Sequence, residues 1–235
     1  NESVMGISLK KISGVTAKWQ IYNMTTADGK RVAGTFDPAA TVYPIHRISL
    51  GLHMKPNRAW GGMPMTTIFS TIFLGNQTDD RITIDIGRHP KGFADMKFEG
   101  EDHFARAAKL GKCPVQEAVS VFAAHGLNHQ KTHKAYPQTE EEFLREKYVY
   151  KQMLSSLATR QEVALGLGDL TVDGALDNIQ AQFNTEDPGR ANSKCQQIDL
   201  IYRCYLRGKV DRIWTDIAFH AQKIGDKYGP FGKLY

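Results

Sequence analysis

Over its first hundred positions the chain alternates apolar and polar residues one by one, the spacing of strands with one buried face. "IHRISLGLHM" (45–54) puts Ile48, Leu50, Leu52 and Met54 on one face and Arg47, Ser49 and His53 on the other. "TTIFSTIFL", the turn "GNQTDD" and "RITIDIG" predict a hairpin with Ile82, Ile84 and Ile86 turned inward. An earlier hairpin is predicted from "VTAKWQIYNMTT", "ADGK" and "RVAGTF", because Asp28-Gly29 tolerates the positive φ angles of a tight turn.

From about residue 101 the period becomes helical. Pro114 suits a first helical position, and Val115, Val119 and Phe122 line one side of a helix expected over 114–134. Thr139 with Glu142 forms a capping box before the stripe Phe143, Tyr150, Met153, Leu154 and Leu157, and Glu140–Glu142 suit the helix dipole there. "GLGDLTVDG" (166–174) lacks the Lys and spacing of a phosphate loop and is expected to cap the next helix through Asp169. That helix carries Val172, Leu176, Ile179 and Phe183. "NTEDPGRANS" (184–193) reads as an exposed loop, with Ser193 and Gln196 as a second capping box leading into Ile198, Ile201, Tyr202 and Tyr205. Val210, Ile213, Trp214, Ile217, Ala221 and Ile224 mark the clearest helix. The expected class is α+β: an N-terminal antiparallel β region over 1–100, a mainly helical region over 101–225 and a C-terminal arm over 226–235.

Composition adds few constraints. With 235 residues, 41% of them hydrophobic, the chain is long enough to bury a sizeable core. No apolar run reaches the roughly 18–20 residues of a membrane span. The first residues lack a signal-peptide pattern, and Cys113, Cys195 and Cys204 form no CxxC pair or closed disulfide framework, which favours a reducing, cytoplasmic setting. The net charge of +5 is uneven: 12 Lys/Arg face 8 Asp/Glu in residues 1–100, against 18 and 17 in the remainder. A positive bias favours acidic partners.

"AAHGLNHQKTHKAYP" (123–137) spaces His125, His129 and His133 four residues apart. On a helix all three share a face, yet eight residues rise about 12 Å, so one ion cannot gather all three. His129 and His133 continue the apolar face begun by Val115, Val119 and Phe122, which predicts histidines packed or hydrogen-bonded at a helix or subunit contact. A phosphate-facing surface beside Lys131 and Lys134, and a metal site completed by a distant ligand, are the alternatives; no metal or cofactor is expected. No GxSxG elbow or HExxH motif is present, and no catalytic residue is assigned.

Basic and aromatic residues fall together in two stretches. "HMKPNRAWGG" sets Lys55, Arg58 and Trp60 in a turn between strands, and "GRHPKGF" sets Arg88 and Lys91 beside Phe93 after a strong strand. Arg47 points off the polar face of its strand. Phosphates attract Lys and Arg, and unpaired bases stack on aromatic rings. The tail "GDKYGPFGKLY" carries Tyr228, Phe231, Leu234 and Tyr235, too apolar to stay free, so it is expected to dock on its own domain or on a neighbouring copy.

Three short strings, "KWQ", "FDPAATVY" and "IHRIS", are similar to strings of orthobunyavirus nucleoproteins, but the first two stand here in the reverse order, and no residue role follows from them. The favoured expectation is a non-enzymatic, self-associating protein of nucleocapsid or coat type, cytoplasmic and, if viral, carried in the virion. It would hold single-stranded RNA through Arg47, Lys55, Arg58, Trp60, Arg88 and Lys91 and a second copy through its tail. An enzyme with an unrecognised active site and a matrix or adaptor protein on an anionic membrane surface are the rivals.

Overall fold

A computed structural model describes residues 6–9, 19–22, 41–52, 56–58, 64–66, 70–76, 79–88, 96–102, 108–127, 133–166, 171–208, 210–227 and 231–234. The fold is α+β, with strands dominating the first half and helices the second. In chain order the strands are β1 (Gly6–Leu9), β2 (Trp19–Tyr22), β3 (Ile45–Leu50), β4 (Pro56–Arg58), β5 (Pro64–Thr66), β6 (Ser70–Asn76), β7 (Asp79–Arg88), β8 (Met96–Asp102), β9 (Ala108–Cys113), β10 (Val163–Leu165) and β11 (Phe231–Leu234). The helices are α1 (Val115–Ala124), α2 (Glu140–Ala158), α3 (Val172–Gln182), α4 (Gly189–Arg207) and α5 (Val210–Lys227).

The main sheet has six strands in the order β10-β3-β6-β7-β8-β9. Its inner face is built by alternation: Ile48 lies opposite Ile72, Ile72 opposite Ile84, and Ile86 opposite Phe98, all buried. The β6–β7 hairpin has the expected inward isoleucines, closed by the pair Asn76 and Asp79. The sheet is mixed rather than purely antiparallel, because β10, from between two helices, pairs parallel with β3. Strands also run past residue 100, where a helical period was expected. In β8, buried Met96, Phe98 and Gly100 alternate with half-buried Lys97, Glu99 and Glu101, so the period of two persists under a charged surface. The predicted hairpin around Asp28-Gly29 lies outside the described residues.

The helices cover the inner face, and Trp214 of α5 packs against Phe98 of the sheet and Phe122 of α1 with ring centroids 6.3 and 6.1 Å away. Helix α1 ends at Ala124, ten positions short of the expected end. Gly126 takes a left-handed φ of 72°, and the amides of Gly126 and Leu127 turn back to the carbonyls of Ala123 and Phe122. This is the Schellman termination that glycine favours. His125 and His133 therefore do not share one helix face: the first caps α1 and the second opens a 3-10 turn at His133–Ala135.

Caps differ from expectation in instructive ways. Thr139 accepts from the Glu142 amide as expected, but the Glu142 carboxylate reaches the Gln138 amide, one residue before the cap. Thr171, not Asp169, caps α3 by accepting from the Gly174 amide. Helix α4 begins at Gly189 behind Pro188, so "GRANS" is helix and not exposed loop. Ser193 is an interior residue that accepts from the Gln197 side chain, and Gln196 donates to Asn192, so no second capping box exists. A proline at a helix start outweighs the polar character of the residues behind it.

Gly126 carries a specific prediction. A Cβ there would meet the Arg207 guanidinium at 2.9 Å, and the backbone already holds a left-handed φ. Gly126→Ala is expected to destabilise the fold by about 1–2 kcal/mol, the cost of placing an L side chain in that region. A lowered urea midpoint at unchanged m-value would show it; an unchanged midpoint would contradict it.

Candidate functional site

Three places in the fold bring chemistry-bearing side chains together. The first is the outer face of β3 and β6. A register shift between Ile45 and Arg47 marks a bulge, and His46 and Arg47 both reach Phe73 on the neighbouring strand. The Arg47 guanidinium lies 4.0 Å from the Phe73 ring centroid, and the His46 ring meets the same ring edge-on at 5.8 Å. Bulges re-aim side chains in this way, placing two consecutive residues against one neighbour. Arg47 is exposed and has no carboxylate partner among the described residues. Its charge is therefore available to an incoming anion, with an aromatic surface beneath it.

The other sequence candidates are differently placed. Arg88, the last residue of β7, is half-buried and bound to Asp187, which also holds Arg190 at 3.0 Å. A phosphate at Arg88 would compete with that carboxylate. Arg58 ends β4, paired with Pro64 of β5, so it sits on a strand rather than in a turn. Lys55, Trp60 and Lys91 lie outside the described residues, as do Tyr228 and Tyr235. The backbone of Phe231–Leu234 forms β11, the middle strand of a small sheet ordered β1-β11-β2 in its own chain.

In the helical half several cations are spent on carboxylates, while Arg160 lies over the Tyr205 ring and Arg207 donates to the His125 carbonyl. Lys147 meets Asp177, Lys151 meets Asp173 and Arg145 meets Glu141. Glu140 accepts from Gln180 and Asn184, and those hydrogen bonds hold its carboxyl below the usual range. That carboxylate thus ties α2 to the end of α3 as well as meeting the helix dipole.

The second place is a surface groove of about 330 Å³ between α1 and α5. His125 Nε2 lies 2.7 Å from one Asp216 oxygen and Arg212 lies 2.9 Å from the other, while His220 meets Glu117 at 3.3 Å. Both Asp216 oxygens are occupied, so the cluster acts as a polar seam, with His125 and His220 joining α5 to α1 and its end. The three thiols offer no nucleophile in its place. All are buried, and burial pushes each thiol up, Cys113 to about 12 with help from Glu117. Among the described residues no three His, Cys, Asp or Glu side chains converge as metal ligands, and no helix is long and apolar enough to cross a membrane.

Comparison with known proteins adds no family. The chain matches no family model, no curated protein and no solved structure. Function must be argued from its own residues.

The third place is the interior of α4, which the sequence reading missed. Ala191 through Ile201 are buried without interruption, although the run includes Asn192, Ser193, Lys194, Gln196, Gln197 and Asp199. Each polar group has a partner. Asn192 Nδ2 donates to the carbonyls of His133, Tyr136 and Pro137, fixing the 3-10 turn. Asp199 accepts from the Tyr136 hydroxyl at 2.9 Å and from Arg203 at 2.7 Å. Gln197 Oε1 accepts from Ser70 of β6 at 2.6 Å and from Lys194 at 3.3 Å, and Ser70 in turn accepts from the Gly51 amide.

Lys194 stands apart in this set. It is buried to 1% exposure and meets no carboxylate among the described residues, and burial alone pulls its ammonium down to about 7. The folded state disfavours the charged form, so between about pH 7 and pH 10 the unfolded chain binds more protons. Stability therefore rises with pH across that window, by up to about 1.4 kcal/mol per unit. Lys194→Met leaves Gln197 Oε1 with its Ser70 donor and removes the slope. Urea unfolding between pH 6 and pH 9 should show the variant gaining most over the native protein at low pH; parallel curves would contradict the assignment.

Proposed function

We propose that the protein is a non-enzymatic, self-associating RNA-binding protein of nucleocapsid or coat type that works in the cytoplasm. The observation that carries this reading is the Arg47–Phe73 pair on the outer sheet face: an exposed guanidinium, with no carboxylate partner among the described residues, laid on an aromatic ring. That pairing of charge and π surface suits a phosphate and an unstacked base of single-stranded RNA. Two further facts support it. The net positive charge is concentrated in residues 1–100. The helical half neutralises Lys147, Lys151 and Arg145 internally, whereas Arg47 meets no carboxylate among the described residues. Arg58, Lys55, Trp60 and Lys91 belong to the same basic-aromatic segments and are proposed to extend the contact. Arg88 is proposed as a weaker contributor, because Asp187 already holds it.

The test is binding of a short single-stranded RNA, followed by anisotropy over a range of salt. Affinity should fall steeply with salt, and Arg47→Ala should reduce the slope of log K against log salt by about 0.7, the value for one phosphate contact on a single strand. Arg47→Glu with Arg58→Glu should weaken binding at least about tenfold, with a parallel urea titration of the variant checking that it is folded. Wild-type affinity and slope in these variants would overturn the RNA site. Binding to anionic vesicles, with none to RNA, would move the same cationic surface to the membrane reading.

A further inference from the structure

The small sheet has an unusual construction. Its outer strands come from the beginning of the chain, and its middle strand comes from the end. Strand β11 runs parallel to β1, with Gly6 opposite Phe231 and Leu9 opposite Leu234, and antiparallel to β2, with Leu234 opposite Trp19 and Phe231 opposite Tyr22. In the sheet order β1 and β2 are not neighbours, so they meet only through β11. Without it, each four-residue strand would present an unpaired ladder edge toward an open slot.

We propose that this slot is the self-association site, and that β11 of one copy can enter the slot of a second copy of this chain. The inference rests on the self-association in the functional reading above and not on its RNA site. Two features support it. Only positions 228–230, Tyr-Gly-Pro, separate it from the end of α5, and short connections of this kind invite exchange of the element they carry. An exchanged strand reforms the same registers with both neighbours, so the bonds within the sheet are identical in the closed and exchanged states. The balance is then set by linker geometry and by the local concentration of copies. A guest strand of this kind gains its affinity from main-chain hydrogen bonds on both edges.

The exchange is heterologous: the slot of one copy receives the strand of the next. Repeated, it makes a ring or an open filament, and copies held along an RNA strand would favour it by raising their concentration. Two copies exchanging reciprocally give a closed dimer by the same contacts.

The test uses the full-length chain and the register itself. Gln20 of β2 lies directly opposite Lys233 of β11. Facing positions in an antiparallel pair have Cα atoms about 4.5–5.5 Å apart, within the range a disulfide spans. Gln20→Cys is made in one tagged version of the chain and Lys233→Cys in another of different mass. They are mixed at high concentration after nuclease and strong-salt treatment, oxidised, and alkylated before a denaturing gel. The native cysteines Cys113, Cys195 and Cys204 are buried and stay out of the reaction. Exchange predicts a covalent heterodimer joining residues 20 and 233 of different chains, in excess of either homodimer and fading on dilution. A double variant, Gln20→Cys with Lys233→Cys, should close on itself when dilute and form a ladder of multimers when concentrated. A double variant that only closes on itself at every concentration, with no heterodimer from the mixture, would overturn the proposal. Absence of cross-linking in both experiments would overturn the β2–β11 pairing and the proposal with it. Because RNA has been removed, loss of the RNA reading leaves a positive result intact.

Discussion

The structure depends on one constraint: a helix whose first three turns are buried on all sides although their sequence is largely polar. Eleven consecutive residues of α4 are removed from water, and among them are two glutamines, an asparagine, a serine, a lysine and an aspartate. Burying an amide without a partner costs roughly 1–3 kcal/mol, so such a helix is tolerated only where its surroundings supply partners. The neighbouring elements are positioned accordingly. Ser70 on β6 joins the helix to the sheet and to the end of β3 through the Gly51 amide. The carbonyls that Asn192 collects fix the turn preceding α2, and the Tyr136 hydroxyl reaches Asp199. A polar core of this sort discriminates between registers more sharply than an apolar one, because a shift of one residue would orphan several groups at once.

Much of the fold was legible because the hydrophobic period is locally clean. Ile82, Ile84 and Ile86 alternate without interruption, and Ile213, Trp214 and Ile217 repeat at helical spacing, so β7 and α5 follow from the residues alone. The failures share a cause. In β8 the charges beside the buried positions mask the period, and in α4 the buried positions themselves are not all apolar. Lys97 and Glu99 make β8 read as surface, although they neutralise one another at 2.9 Å above a buried Phe98. Asn192, Ser193 and Lys194 make the start of α4 read as loop, because a sequence cannot show that carbonyls 55 to 59 positions away will answer Asn192, or that Gln197, itself held by Ser70, will meet the other two. The early end of α1 was within reach: glycine after His125 is a termination signal, and the regular spacing of the histidines outweighed it.

The candidate site divides in the same way. That Arg47 points away from the core follows from alternation. That it lies on Phe73 does not, because the contact depends on which strand is the neighbour and on a bulge that no residue type announces. Arg88 shows the opposite limit. Its charge is plain in the sequence, but Asp187, ninety-nine positions later, decides how much of that charge remains for a ligand. Cationic residues are visible in sequence, whereas free cationic charge is a property of the fold.

The chain's two halves are laced together rather than stacked in order. Strand β10, between two helices, extends the main sheet beside β3; α5 lies across that sheet; and the last strand completes a sheet begun by the first residues. The core runs without a break from Ile48 to Ala221. During synthesis β1 and β2 must therefore wait for residues 231–234 before the edges that face β11 can be paired. Throughout that interval β1 and β2 share an acceptor slot that any copy of β11 fits equally well. A fold that closes on its last strand cannot distinguish, by hydrogen bonds alone, its own C-terminus from that of a neighbour; only linker length and proximity make the choice. Proximity is what a shared polymer supplies, so on the proposed reading the basic strand face and β11 would act on one equilibrium: charge would gather the copies, and gathered copies would shift the balance from closed chains toward linked ones.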